Sequence, residues 1–306
     1  MNGNCPYLGT PVPADEFTDE HIFPHAIGGS LDYSIRVSKK ANSELGTRLD
    51  GPLVDSPLIQ ALRLVHGVRS RAGEPAWKLP ATHTPTGKRA TITFRADETN
   101  VEIHGPISRS DDGLHVSVVC SPEQDERILK QFLAGQVDRG RLVQLLEETS
   151  LAGEYRVEPH VDAGLLVRAM LKIALATAYE CLGESVLSDS VIEKCRQAIF
   201  AEDRDLLHEL EIPGFAFEPP DHPAFLPRIE SHEHLAVVAN IQMAGLVVGV
   251  QLFGGGFHSL FIVLSEASAP LLEVGQGTIA ICDARRRKTR KLGFFEHQLQ
   301  TLGLST

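Results

Sequence analysis

TDEHIFPHAIGGSLDYSIRVSKKANSELG, residues 18–46, is the stretch on which the reading of this chain turns. A carboxylate stands next to a histidine (Glu20-His21), then come Pro24, the paired glycines Gly28-Gly29 and a basic segment that ends at Asn42. The pattern predicts two short strands around a Gly-Gly turn, followed by a short helix near Lys39 to Leu49. Hydrolysing a phosphodiester with one metal ion needs oxygen ligands for a hard cation, a base for the water and positive charge near the phosphate. Glu20 and Asn42 are such ligands, His21 is the residue type whose unperturbed pKa of ~6.5 suits a general base, and Lys39 and Lys40 are placed to meet a phosphate backbone. Successive strand residues point to opposite faces, so Glu20 and His21 cannot both aim at one spot on a flat strand: the metal and the base sit on two sides of the scissile phosphate, or the strand twists or bulges there.

Together with LGTRLD (residues 45–50), this stretch resembles the HNH endonucleases. The ββα-metal module of that family commonly reads acid-His, I-x-P, a Gly-Gly pair, and then C-x-x-C-N. The resemblance implies that Glu20 and Asn42 bind a catalytic Mg²⁺ or Mn²⁺ and that His21 is the general base. It further implies DNA as the partner and products with 5′-phosphate and 3′-hydroxyl ends. The spacing of 21 residues from His21 to Asn42 is typical of the module. It covers about residues 5 to 50. A lone Glu-His pair or a lone Asn means little; their order and spacing with Pro24 and the glycines are far more specific.

The departures from the family matter too. Many members carry two C-x-x-C knuckles around a structural zinc, and the matching positions here are Cys5, Leu8, Ser38 and Ala41. One thiolate cannot hold a tetrahedral zinc, so no structural zinc is expected. The module must then be supported by packing against the rest of the chain, because about 50 residues alone are marginal. The family's middle Asn has no secure counterpart, with Asp32 and Ser34 nearest to it. Pro24 between His21 and His25 argues against a helical His-x-x-x-His ligand pair.

The rest of the chain predicts α+β architecture: a small HNH module over residues 1–58 and a larger α+β domain over 59–306, with a helical middle and antiparallel strands. Residues 1 to about 17 are expected to be irregular. DSPLIQALRLVHGVRSR (55–71) reads as a helix capped by Asp55 or Ser56. KRATITFRA, NVEIHGPI and GLHVSVVC alternate as strands, and SPEQDERILKQFLAGQ and DRGRLVQLLEETS read as helices. The run 161–182 is apolar on most faces and reads as a central buried helix; Arg168 and Lys172 on it are expected to pair internally with Asp162 or Glu180. A further helix is expected over SDSVIEKCRQAIFAEDRDLLHEL, then the proline-rich loop IPGFAFEPPDHPAFLP, then a strand meander from His232 onward.

A formal net charge of -11 opposes the usual basic character of proteins that hold DNA through its phosphates, so contact must rest on local patches or a partner. Arg285 to Lys291 put six basic residues in seven positions, and Arg285, Arg286, Arg287 and Lys288 are the candidate DNA contacts. The five widely spaced cysteines fit a reducing compartment, and neither of the two most apolar runs, residues 163–183 and 234–253, suits a membrane span, so a cytoplasmic protein is expected. Three readings stay open: a DNA endonuclease or nickase, an inactive HNH-derived module that binds nucleic acid, a protein or an effector, and a nuclease whose C-terminal domain senses an activating effector; a homo-oligomer stays open as a partner.

Overall fold

The structure, a computed structural model, describes residues 2–70, 73–104, 107–109, 116–118, 154–157, 161–201, 212, 226–242, 244–254, 259–301 and 303. It is mixed α and β, and its sheets are antiparallel. The helices expected over 121–149, most of the proline-rich loop and the end of the helix after Phe200 lie outside the described residues.

Two compact units divide the chain: Met1–Glu74 together with Asp162–Thr306, and Pro75–Val161. The boundary expected after residue 58 is not where the units part. Residues 59–74 stay with the N-terminal hairpin, because Ile59 and Val68 join the same apolar core as Ile35, Val37 and the long helix. The second unit holds an antiparallel sheet in the order Tyr155–Val157, Trp77–His83, Lys88–Phe94, Thr99–Ile103. Ala81, Ala90, Ile92 and Ile103 line its small core, as period-two alternation requires.

The first unit is built around the helix Ala163–Leu182. Asp162 caps it, its side chain accepting the Leu165 N–H at 3.0 Å. The helix is apolar on nearly every face because it has neighbours on many sides. It packs on three strands of a five-stranded sheet, on the helix Ser190–Phe200, and on the N-terminal strand Ser34–Ser38 and helix Gly51–Asp55. Among the described residues no helix is long and apolar enough to cross a membrane.

The sheet runs Ser259–Val263, Gly245–Gln251, Glu233–Ile241, Gly277–Asp283, Lys288–Gly293, the meander that the C-terminal alternation predicts plus an edge hairpin. Ala236, Val238, Val248, Val250 and Ala280 face the main core, while Leu235, Val237, Ala239, Ile279 and Ile281 pack with Phe294 of the C-terminal helix Phe294–Thr301. A strand covered on both faces has no polar side to display. Hence the unbroken apolar run LAVVA, residues 235–239.

The first residues are more ordered than their Pro and Gly content suggests. Asn2–Asn4 pairs with Pro11–Pro13, closed by a turn in which Cys5 N–H donates to Thr10 O at 3.1 Å. Cys5 is fully buried and its sulfur accepts the Ser38 N–H at 3.3 Å, which ties this turn to the start of the next helix. The helix Pro57–Val65 starts at the expected Ser56, but the Ser56 hydroxyl donates back to Leu53 O instead of capping.

Candidate functional site

The strand Phe17–His21 pairs antiparallel with Ser34–Ser38, and the helix Lys39–Leu45 follows at once. A single π-helical turn, Gly46–Asp50, then leads into Gly51–Asp55. This order, strand, loop, strand, helix, brings Glu20, His21, Asn42 and Asp50 to the wall of one cleft of about 550 Å³, together with His25 and Asp55. Adjacent strand residues meet there because His21 is the last residue of its strand, and the chain turns immediately at Pro24.

The loop between the strands is held by close packing. Phe23 and Ile27 are buried, and Gly28 adopts φ 101°, a left-handed conformation that ends the turn His25–Ile27. A Cβ on Gly28 would meet Ala284 at 2.5 Å, and one on Gly29 would meet the Phe23 carbonyl oxygen at 1.7 Å. The paired glycines are therefore a packing requirement. His234, fully buried in the sheet, donates from Nε2 to Ile27 O at 2.8 Å and accepts the Phe253 N–H at Nδ1. Its ring stacks on Phe23 at 5.1 Å. Burial pushes its pKa down to about 4, so the ring is neutral and the loop is fixed by a single tautomer.

Glu20 is not open to the cleft on all sides. Lys172, from the middle of the long helix, places its Nζ 2.5 Å from Glu20 Oε1 and 2.6 Å from Asp50 Oδ2. Burial pulls the Lys172 ammonium down, but Asp50 and Glu20 outweigh it and hold the pKa above the usual lysine value. Burial in turn raises the Glu20 carboxyl, against the pull of Lys172. The expected partners of Lys172 are therefore replaced: ten and eight helical residues away, Asp162 and Glu180 lie about 15 and 12 Å along the axis, beyond its reach. Glu180 pairs with Lys291 instead, and Arg168 binds Ala201 O.

Two further residues belong here that the sequence alone did not assign. The His25 ring lies edge-on to His21, centroids 5.4 Å apart, brought there by a turn and not by a helix. Tyr7 is buried beneath Lys172, whose Nζ is 5.9 Å from its ring, and its hydroxyl has no hydrogen-bond partner among the described residues. Burial, then Glu20 and Asp50, raise the Tyr7 pKa well above the usual tyrosine value.

The basic run forms the turn of the edge hairpin Gly277–Asp283/Lys288–Gly293. Arg290 pairs with the buried Glu233 at 2.8 Å, and two of the arginines in the turn itself are also used internally. Arg285 donates to His66 O at 2.6 Å, and Arg287, at φ 54°, binds the His25 ring and Arg69 O. Arg286 and Lys288 project into solvent at the same turn. Through the Arg287–His25 contact this turn borders the cleft. Lys39 and Lys40 are exposed on the first helix, with Lys39 Nζ on Asp15 O at 2.8 Å.

Among the described residues no three His, Cys, Asp or Glu side chains are gathered as a metal cage. The donors that line the cleft are nonetheless hard oxygens, Asn42, Asp50 and Glu20, and the buried Asp50 Oδ1 has no hydrogen-bond partner among the described residues. Mg²⁺ is commonly held by one or two carboxylates, with waters and substrate phosphate filling the rest of its shell. The donor set fits that ion. Comparison with protein-family models, with curated protein sequences and with solved structures returns no match to this chain.

Proposed function

We propose that the chain is a metal-dependent DNA endonuclease or nickase working through an HNH-type site. The observation that carries this reading is the convergence of Glu20, His21 and Asn42 on one cleft, on a strand–loop–strand–helix unit of the order that the HNH resemblance implies. The turn at Cys5 packs against Ser38, and Cys5 and Ala41 share one core. These are segments that zinc would join in other members, joined here by a thiol hydrogen bond and apolar contacts.

His21 takes a proton from the attacking water, and the neighbouring His25, held by Arg287, walls that side of the cleft. Asn42, Asp50 and Glu20 are the residues that would hold Mg²⁺ or Mn²⁺, which when bound supplies charge stabilisation at the phosphate and the departing 3′ oxygen. Arg286 and Lys288 at the cleft's border contact the phosphate backbone, which lets an acidic protein hold DNA locally. Plasmid cleavage by the purified chain in Mg²⁺, Mn²⁺ or EDTA tests this. Metal-dependent nicking or linearisation that His21→Ala abolishes supports it; cleavage undiminished in His21→Ala refutes the assignment of the base.

A second reading has its own support in the Lys172 ammonium, which already neutralises part of the Glu20–Asp50 pair. An inactive HNH-derived binding module would keep such a pair without any metal. Duplex binding unaffected by EDTA, with no cleavage under any metal, would favour it.

A further inference from the structure

We propose that Lys172 is a built-in counter-cation of the candidate metal site, holding Glu20 and Asp50 in place while no metal is bound and weakening the grip of those carboxylates on a divalent ion. The inference rests on the nuclease reading and goes beyond it, because Lys172 comes from the long helix, over a hundred residues from the hairpin and outside the stretch that carries the HNH resemblance.

The cluster sits where charge cannot be screened. The Lys172 side chain is 1% exposed, Glu20 10% and Asp50 20%, and the ammonium bridges both carboxylates at 2.5 and 2.6 Å. Two carboxylates forced together without a cation repel strongly in such surroundings. One ammonium leaves the three groups with a net charge of about -1, enough to keep them folded together and to leave attraction for a further cation.

Two atoms mark what Lys172 leaves unmet. Among the described residues Asp50 Oδ1 is buried without a partner, and so is the hydroxyl of Tyr7, which lies within electrostatic reach of Glu20 and Asp50. A lysine used only to neutralise a structural pair would be expected to leave no buried oxygen unsatisfied beside it. A hydrated divalent ion offers both a positive charge for Asp50 Oδ1 and a water for the Tyr7 hydroxyl. Affinity for the ion would then be set by competition: the ammonium weakens the grip of the oxygens it shares, and the ion binds in spite of it.

The test is Mn²⁺ titration of the full chain, followed calorimetrically at fixed pH, for the wild type, Lys172→Met and Lys172→Gln, with circular dichroism to establish folding. Removing the positive charge is expected to tighten Mn²⁺ binding by about tenfold or more. Mn²⁺ is also expected to raise the Tm of Lys172→Met further than that of the wild type. Should Lys172→Met fail to fold, Lys172→Gln, which keeps an N–H donor for one carboxylate, is read in the same way. Wild-type binding that is unchanged or weakened in a folded variant overturns the role of Lys172 and leaves the nuclease reading standing. Absence of Mn²⁺ binding in the wild type and in both variants overturns the metal site itself, and the nuclease reading with it.

Discussion

Lys172 and Glu20 stand 152 positions apart in the chain and 2.5 Å apart in the fold, the ammonium of a buried helix on the carboxylate of the strand that carries His21. This contact joins the N-terminal hairpin to the rest of its unit through charge as well as through apolar packing. Removing one partner of a buried pair leaves the other charge uncompensated, at a cost of about 3–5 kcal/mol. Lys172→Ala is therefore expected to lose about that much stability in urea unfolding. Arg48→Ala, which breaks the exposed pair with Glu44, is expected to cost no more than about 0.5 kcal/mol. Equal losses in the two variants would remove Lys172 from its place in the fold's energetics.

Gly29 gives a sharper test of how the loop is held. Any Cβ there runs into the Phe23 carbonyl, and backbone cannot swing aside as a side chain can. Gly29→Ala is expected to destabilise the protein by about 1–3 kcal/mol and to shift the His25 turn, lowering cleavage. Gly46→Ala is the control: nothing lies within 4 Å of a Cβ at that position, and there the change should be neutral or slightly stabilising. A tolerated Gly29→Ala would mean that the loop has a second arrangement.

Much of this was open to sequence reasoning, and the parts that were not share a cause. The hairpin and short helix of residues 17–45, the helix after Asp162 and the C-terminal meander follow from local periodicity, turn residues and caps. Those signals act within one element. Lys172 in an apolar run did announce a buried partner, yet nothing local names Glu20 and Asp50, which arrive from the N-terminal hairpin and from the turn Gly46–Asp50, over a hundred residues earlier. Likewise Pro24 forbids a helix between His21 and His25 but does not forbid a turn that brings the rings together. The basic run was visible as charge. That Arg285 and Arg287 spend their donors on the His66 and Arg69 carbonyls, leaving Arg286 and Lys288 outward, depends on the register of the edge hairpin.

That division within the basic turn predicts different behaviour for neighbouring arginines. Each phosphate contact adds about 0.9 to the slope of log affinity against log salt on duplex DNA. Arg286→Ala with Lys288→Ala is expected to weaken binding across sequences and to reduce that slope by up to about 2, leaving thermal stability intact. Arg287→Ala, which releases the His25 ring and the Arg69 carbonyl, is expected to lower Tm and cleavage together. Fluorescence anisotropy over a salt series distinguishes them. An unchanged slope in the double variant would take DNA contact away from this turn.

His234 sets the response to acid. Its folded pKa is about 4, against ~6.5 for an unperturbed histidine, because burial disfavours the imidazolium and Nδ1 is committed as an acceptor. The unfolded chain thus binds more protons than the folded one between these values, and stability falls as pH drops through that window. The contribution is fully present above ~6.5, and by pH 4.5 about 2–3 kcal/mol of it should be gone. In His234→Phe, which keeps an aromatic ring beside Phe23 and Phe253, the unfolding free energy at pH 7 is lower, since Ile27 O and the Phe253 N–H lose their partner. Its decline from pH 7 to 4.5 should be shallower by about 2–3 kcal/mol. Urea denaturation of both proteins at the two pH values checks the difference, and equal declines would show that acid sensitivity resides elsewhere.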